Sequence, residues 1–239
     1  MDTIKFKKDK TRVVAHRGLS GIETENTCAS FVAGCNRSYY AIETDIHRTL
    51  DGHFVINHDK NLNNVSGVNI ELESSTLEEL QKIILFDKDG TKGRCDLRPC
   101  ILENYLNICT KYEKECVLEL KSSFTDEEIL KIIDIIKSFN YIDHVSFISF
   151  DYENLLKIRR FLPSHSVQFL FWEFTDEIFD RLIRDKIDID IYYPSLTKEH
   201  IDKAHENGLT VNCWTVNEKE VGERLASWGI DFITTNILE

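Results

Sequence analysis

Proline is scarce in this chain, with three among 239 residues, and ten glycines and one methionine accompany it. No stretch rich in proline, glycine or serine divides the sequence, so one domain spanning 1–239 is expected, long enough to bury a large core. No early segment combines a basic start, an apolar stretch and a small-residue cleavage site, and no apolar run approaches the roughly 20 residues that cross a bilayer. A soluble, cytoplasmic protein without stable membrane insertion is the expectation. Seven cysteines are an odd number, and none forms a CxxC pair or a zinc-finger spacing, which reads as reduced thiols used mostly as core fillers. Positive charge is the other deficit: 29 Lys and Arg face 41 Asp and Glu, a net charge of −12. That balance opposes nucleic acid and anionic lipid, whose phosphates it repels. A small anionic substrate then needs a local positive centre, and a divalent metal is the natural one.

What the chain does have is rhythm. Short β-branched runs alternate with amphipathic segments, the pattern of βαβ units around a parallel sheet. Strands are expected at Val13–Arg17, Ala41–His47, Cys116–Lys121, Val145–Phe150, Val167–Trp172, Ile187–Tyr193, Thr210–Thr215 and Phe232–Thr234. Eight is the number that closes a TIM (β/α)8 barrel, an α/β fold. Helices fit Asn26–Asn36, Asp126–Phe139, Tyr152–Phe161, Asp176–Lys186, Lys198–Asn207 and Glu218–Trp228, with Thr125 a natural N-cap and Gly208 and Gly229 at helix C-terminal positions. Residues 51–99 break the rhythm with a short strand, a polar loop and a short helix at Leu77–Ile84. They read as a small insertion after the second strand, lying over the top of the barrel.

Catalytic groups of such barrels sit at the C-terminal ends of strands, which filters the candidates by position. His16 and Arg17 end the first strand. Glu43 and Asp45 lie two apart on the second, so both project to the barrel axis, where unpaired carboxylates repel unless a cation joins them. Glu119 and Lys121 repeat that spacing on the third. Three converging carboxylates favour a hard cation, Mg²⁺ or Ca²⁺, with Mn²⁺ an alternative, over zinc. His58 closes the stretch DGHFVINHD. Taken singly, Glu-x-Asp is more often a pair of solvated carboxylates, His58 a turn residue and Lys121 a salt-bridge partner of Glu119; the convergence on strand ends raises the odds. His47 shares a face with Asp45, behind the site.

HRG at His16–Gly18, ENT at Glu25–Thr27, ETD at Glu43–Asp45, TLDGHFVINHD at Thr49–Asp59 and LELK at Leu118–Lys121 resemble the glycerophosphodiester phosphodiesterase family. The likeness continues through ISF at Ile148–Phe150, VNCWTVN at Val211–Asn217 and DFITTN at Asp231–Asn236, in order along nearly the whole chain. It implies a TIM barrel, one divalent cation and hydrolysis of a small glycerophosphodiester to glycerol 3-phosphate and an alcohol. By matching position His16 and His58 would be the acid–base pair, Glu43, Asp45 and Glu119 the metal ligands, and Arg17 and Lys121 the phosphate-facing cations. Trp214 would lie near the glycerol or the leaving group, or fill the barrel.

Two positions depart from the family pattern: Thr24 stands where proline is usual before Glu25, and TTN replaces TD followed closely by proline. Glu25 either orients Arg17 or approaches the metal, and Asn26 or Thr27 caps the first helix. The nucleophile is water or the adjacent glycerol hydroxyl. Two other readings use the same residues: a phospholipase D-type or cyclising lysophospholipid phosphodiesterase, and a non-catalytic barrel that binds a phosphorylated metabolite.

Overall fold

A computed structural model describes residues 2–239. The chain runs β1 (Arg12–Ala15), α1 (Cys28–Cys35), β2 (Ala41–Arg48), β3 (Phe54–Ile56), α2 (Asn63–Ser66), α3 (Leu77–Gln81), α4 (Leu102–Tyr112) and β4 (Glu115–Leu120). It continues through α5 (Asp126–Ser138), β5 (Val145–Ser149), α6 (Tyr152–Phe161), β6 (Val167–Phe171), α7 (Asp176–Asp185) and β7 (Asp188–Tyr192). Last come α8 (Lys198–Glu206), β8 (Val211–Trp214), α9 (Lys219–Ser227) and β9 (Phe232–Thr235). Parallel pairing runs β1-β2-β4-β5-β6-β7-β8-β9 and back to β1, a closed eight-stranded TIM barrel; β3 adds to β2 antiparallel, outside the ring. Among the described residues no helix is long and apolar enough to cross a membrane.

Local chemistry sets most element ends. The Thr125 side chain accepts from the Glu128 N–H and Glu128 answers at the Thr125 N–H, so α5 starts with its first donors satisfied. Its face of Ile129, Ile132, Ile133 and Ile136 is buried against the sheet, and each such side chain contributes about 1.5–3 kcal/mol of transfer free energy. α1 begins later than the sequence pattern implies because Asn26 takes φ +56°, a left-handed conformation that no α-helix continues; Thr27 is the cap. Helix α4 was not anticipated, yet Leu102, Tyr105, Leu106 and Cys109 are its buried stripe at the three-and-four spacing.

The main core lies between the strands and the helical ring, whereas the barrel interior holds a smaller apolar layer of Val14, Ala41, Val117, Ile148 and Leu170. Between β2 and α4 the chain makes its own cluster of Val55, Leu62, Leu72 and Leu80. This excursion is fastened to the loop after β1: Thr24 Oγ1 donates to Phe86 O at 2.8 Å, Lys88 Nζ to Ser20 O at 2.8 Å, and Arg94 pairs with Glu23 at 2.7 Å. It therefore borders the mouth of the barrel next to His16 and Arg17, and α3 ends at Gln81, three residues earlier than the periodicity implies.

Candidate active site

The loop after β1 is folded tightly enough to turn a backbone amide into a ligand. Arg17 has φ +54° and Gly18 φ +73°, and a Cβ on Gly18 would stand 2.4 Å from Ser30 Oγ on α1. Only glycine fits that approach in that conformation. The result directs the Arg17 N–H onto Glu43 Oε2 at 2.7 Å. The Arg17 side chain then reaches across: Nη1 donates to Glu25 Oε1 at 2.8 Å, and Nε lies 3.6 Å from Asp45 Oδ2. Glu25 thus orients Arg17.

Parallel register brings the acids together. Asp45 pairs with Glu119 and Glu43 with Val117 across β2 and β4. One oxygen each from Glu43, Asp45 and Glu119 falls within a sphere of mutual distances no greater than 4.8 Å, and the three residues are 2%, 1% and 7% exposed. Like charges this close and this dry repel strongly. Burial, then Asp45 and Glu119, drive Glu43 well above its ordinary range. Burial and Asp45 push Glu119 up to about 8. Asp45 goes the other way: burial opposes its ionisation, but Arg17 and Lys121 overcome it and hold the carboxyl well below the usual range. Lys121 Nζ sits 3.0 Å from Glu119 Oε1 and 3.6 Å from Asp45 Oδ1. Asn26 Nδ2 donates to Asp45 Oδ2 at 2.8 Å while its own Oδ1 accepts from Thr44, so that Asp45 oxygen is fixed.

Two atoms of this Arg17–carboxylate cluster are left over. Asp45 Oδ1 and Arg17 Nε are buried and find no hydrogen-bond partner among the described residues. An orphaned acceptor among three carboxylates fits a cation, and an orphaned guanidinium N–H on Arg17 fits an anionic oxygen. The donor set is all oxygen, which suits Mg²⁺ or Ca²⁺.

Two imidazoles border the same cavity of about 260 Å³, together with Arg17, Glu43, Glu119 and Trp214. His16 Nδ1 meets Asn236 Oδ1 at 2.7 Å and His58 Nδ1 meets Asp59 Oδ1 at 2.9 Å. In both, an acceptor on Nδ1 selects the tautomer that leaves Nε2 free. Burial, then the Arg17 charge, pushes His16 down to about 3. His47 does stand behind the site, its Nε2 donating to His58 O at 3.2 Å.

The far wall is aromatic. Phe150, Trp172 and Trp214 line the cavity, with Trp172 and Trp214 ring centroids 4.7 Å apart and Phe150 5.6 Å from Trp214. Phe150 and Trp172 remain 41% and 56% exposed, open to a ligand. Trp214 also packs on the interior apolar layer, and its Nε1 donates to Asp190 O at 3.3 Å. Asp190 lines the floor, buried, with Oδ1 lacking a partner among the described residues, and burial pushes it well up. Sequence reading passed over Asp190, Asn26, Asn236 and Asp59 as site residues. Only Asp190 carried a local signal, the inward alternation of Asp188-Ile189-Asp190. A second cavity of about 300 Å³, lined by Arg12, Glu115 and Gln168 among others, opens toward the N-terminal ends of the strands, away from these groups.

Fold and site together define a (β/α)8 protein with an acidic, cation-ready centre at the C-terminal ends of its strands. The model of the glycerophosphoryl diester phosphodiesterase family matches residues 16–239, and the chain belongs to that family of phosphoric diester hydrolases. It is 29% identical over 232 residues, 95% of this chain and 94% of the other, to a glycerophosphodiester phosphodiesterase of Caldanaerobacter subterraneus. A solved glycerophosphodiester phosphodiesterase from Parabacteroides distasonis is 27% identical with a TM-score of 0.77, covering 96% of this chain and 94% of that one. An Oleispira antarctica phosphodiesterase, solved with sn-glycerol-3-phosphate, shares the fold at 22% identity and TM-score 0.84, covering 94% and 92%.

Proposed function

We propose that this protein hydrolyses small glycerophosphodiesters to glycerol 3-phosphate and an alcohol, with one divalent cation bound by Glu43, Asp45 and Glu119. The carrying observation is the pair of orphaned buried atoms, Asp45 Oδ1 within the three-carboxylate cluster and Arg17 Nε, whose residue lines one cavity with both histidines. The phosphate product held by the Oleispira relative is consistent with it.

When bound, the cation supplies Lewis-acid polarisation of a phosphoryl oxygen. Arg17 and Lys121 balance the remaining phosphate charge, and Asn26 and Glu25 hold Asp45 and Arg17 in place for it. His16, kept neutral by its surroundings, takes the proton of the nucleophile at Nε2. His58 gives a proton to the departing alkoxide at Nε2, its ring oriented and its charge balanced by Asp59. The aromatic wall of Phe150, Trp172 and Trp214 receives one of the two ester substituents.

Release of glycerol 3-phosphate from glycerophosphocholine, lost on chelation and restored by Mg²⁺, Ca²⁺ or Mn²⁺, tests the proposal; full turnover after exhaustive chelation rejects it. A phospholipase D-type reading draws on the exposed rims of Phe150 and Trp172. Parallel assays with soluble glycerophosphocholine and micellar lysophosphatidylcholine separate the two.

A further inference from the structure

Cys28 opens α1 directly after its cap Thr27, and Cys100 directly precedes Ile101 and α4. Helix packing of α1 on α4 brings these two starts together, so residues 72 positions apart in sequence meet. Their Sγ atoms lie 3.0 Å from each other, and the Cys28 N–H donates to Cys100 Sγ at 3.1 Å. A disulfide has S–S of about 2.05 Å, so a closing movement of roughly 1 Å joins them.

The two thiols are not equivalent. Cys28 is partly exposed, whereas Cys100 is 5% exposed and also contacts Arg98 O. Cys28 is the first residue of α1, at the positive end of the helix dipole, a position that favours its thiolate. Their mutual contact likewise holds the Cys28 thiol below its ordinary range and, with burial, pushes Cys100 up. Of the other cysteines, Cys35, Cys109, Cys116 and Cys213 are buried and Cys95 is exposed.

We propose that Cys28 and Cys100 form a peroxide-reactive dithiol site that closes reversibly to an intramolecular disulfide. The Cys28 thiolate attacks one oxygen of hydrogen peroxide. The O–O bond breaks, and the departing hydroxide takes a proton to become water, leaving Cys28 as a sulfenic acid. Cys100 sulfur then attacks the Cys28 sulfur; the S–O bond breaks and the oxygen leaves as water with the Cys100 proton. Two thiols and one peroxide thus give one disulfide and two waters, and a dithiol reductant reverses the change by exchange. The bond would staple the start of α1 to the end of the excursion that carries His58. Glu25 and Asn26, which hold Arg17 and Asp45, immediately precede it. This inference is independent of the reading of the barrel site.

The test is peptide mapping of the full-length protein under non-reducing conditions after peroxide at low molar excess and alkylation of remaining thiols. The expected result is loss of two hydrogens in the intact mass and a linked Cys28–Cys100 peptide that disappears on dithiothreitol treatment. In Cys100→Ser the sulfenic acid should persist on Cys28 and be captured by dimedone, and Cys28→Ser should show neither product. Quantitative alkylation of both cysteines in peroxide-treated wild type, or a linkage mapping to other cysteines, overturns the proposal without reference to any variant.

Discussion

Asp45 and Glu119 stand opposite each other in the parallel ladder of β2 and β4, and Lys121 Nζ lies within 3.6 Å and 3.0 Å of their oxygens. Lys121 and Arg17 together do not neutralise the group, because Glu43 adds a third carboxylate. In the cation-free chain a proton takes up the difference.

That proton gives a pH signature. Glu119 titrates near 8 in the fold against its ordinary 4.5, so between those values the folded state holds a proton that the unfolded state has released. Stability of the cation-free protein therefore falls as pH rises through the window. His16, pushed down to about 3, has the opposite slope below 6.5, which leaves pH 6.5–8 to the carboxylates. Thermal unfolding with chelator should show the midpoint dropping across that range, and saturating Mg²⁺ or Glu119→Gln should make the drop shallower, since Glu43 and Asp190 are also pushed up. Identical slopes in all three samples would contradict the coupling of cation and proton.

Asn26 fixes one oxygen of Asp45, so Asn26→Ala should weaken cation affinity about 10–100-fold with little change in the fold. Calorimetric titration of Mg²⁺ or Ca²⁺ reads this directly. Unaltered affinity would reduce Asn26 to a structural bridge to Thr44.

His16→Ala and His58→Ala should each lower kcat by about 10²–10⁴-fold while circular dichroism stays native. Near-normal turnover in both would remove them from the proton-transfer role.

Asn236 is the acceptor on His16 Nδ1. In Asn236→Asp a carboxylate takes that place and stabilises the imidazolium, so the acid limb of the kcat/KM profile should move to higher pH. A limb that stays put, or moves down, is inconsistent with His16 as the base.

Gly18→Ala should destabilise the loop that aims Arg17. The added Cβ meets Ser30 at 2.4 Å at φ +73°, and backbone strain alone is worth about 1–3 kcal/mol. A lowered thermal midpoint with weakened cation binding is expected; a neutral effect on both would show that α1 can yield.

How far the sequence reached follows from the range of each interaction. Period-two spacing on a strand is local, so Glu43 with Asp45 and Glu119 with Lys121 were legible as inward pairs, and strand ends located His16 and Arg17. The eight barrel strands were legible for the same reason. Asn26 reads locally as a helix cap; its bond to Asp45 needs the left-handed turn and the approach of β2. The substitution at the end of the family pattern, Asn236, acquires meaning only when β9 closes on β1 and brings it to His16. Helix α4 was obscured because its amphipathic stripe follows directly on the irregular segment that ends at Pro99.

The barrel wall divides by chemistry. The three clustered acids, the cations and the histidines come from β1, β2, β4 and the adjoining loops, while the aromatic rings end β5, β6 and β8 and Asp190 stands apart on β7. Because the two sets ride on separate strands and separate βα loops, the aromatic rim can change without moving the acidic cluster. Exchanging Phe150 or Trp172 for other side chains should re-shape the mouth of the pocket while the acidic cluster keeps its ladder register.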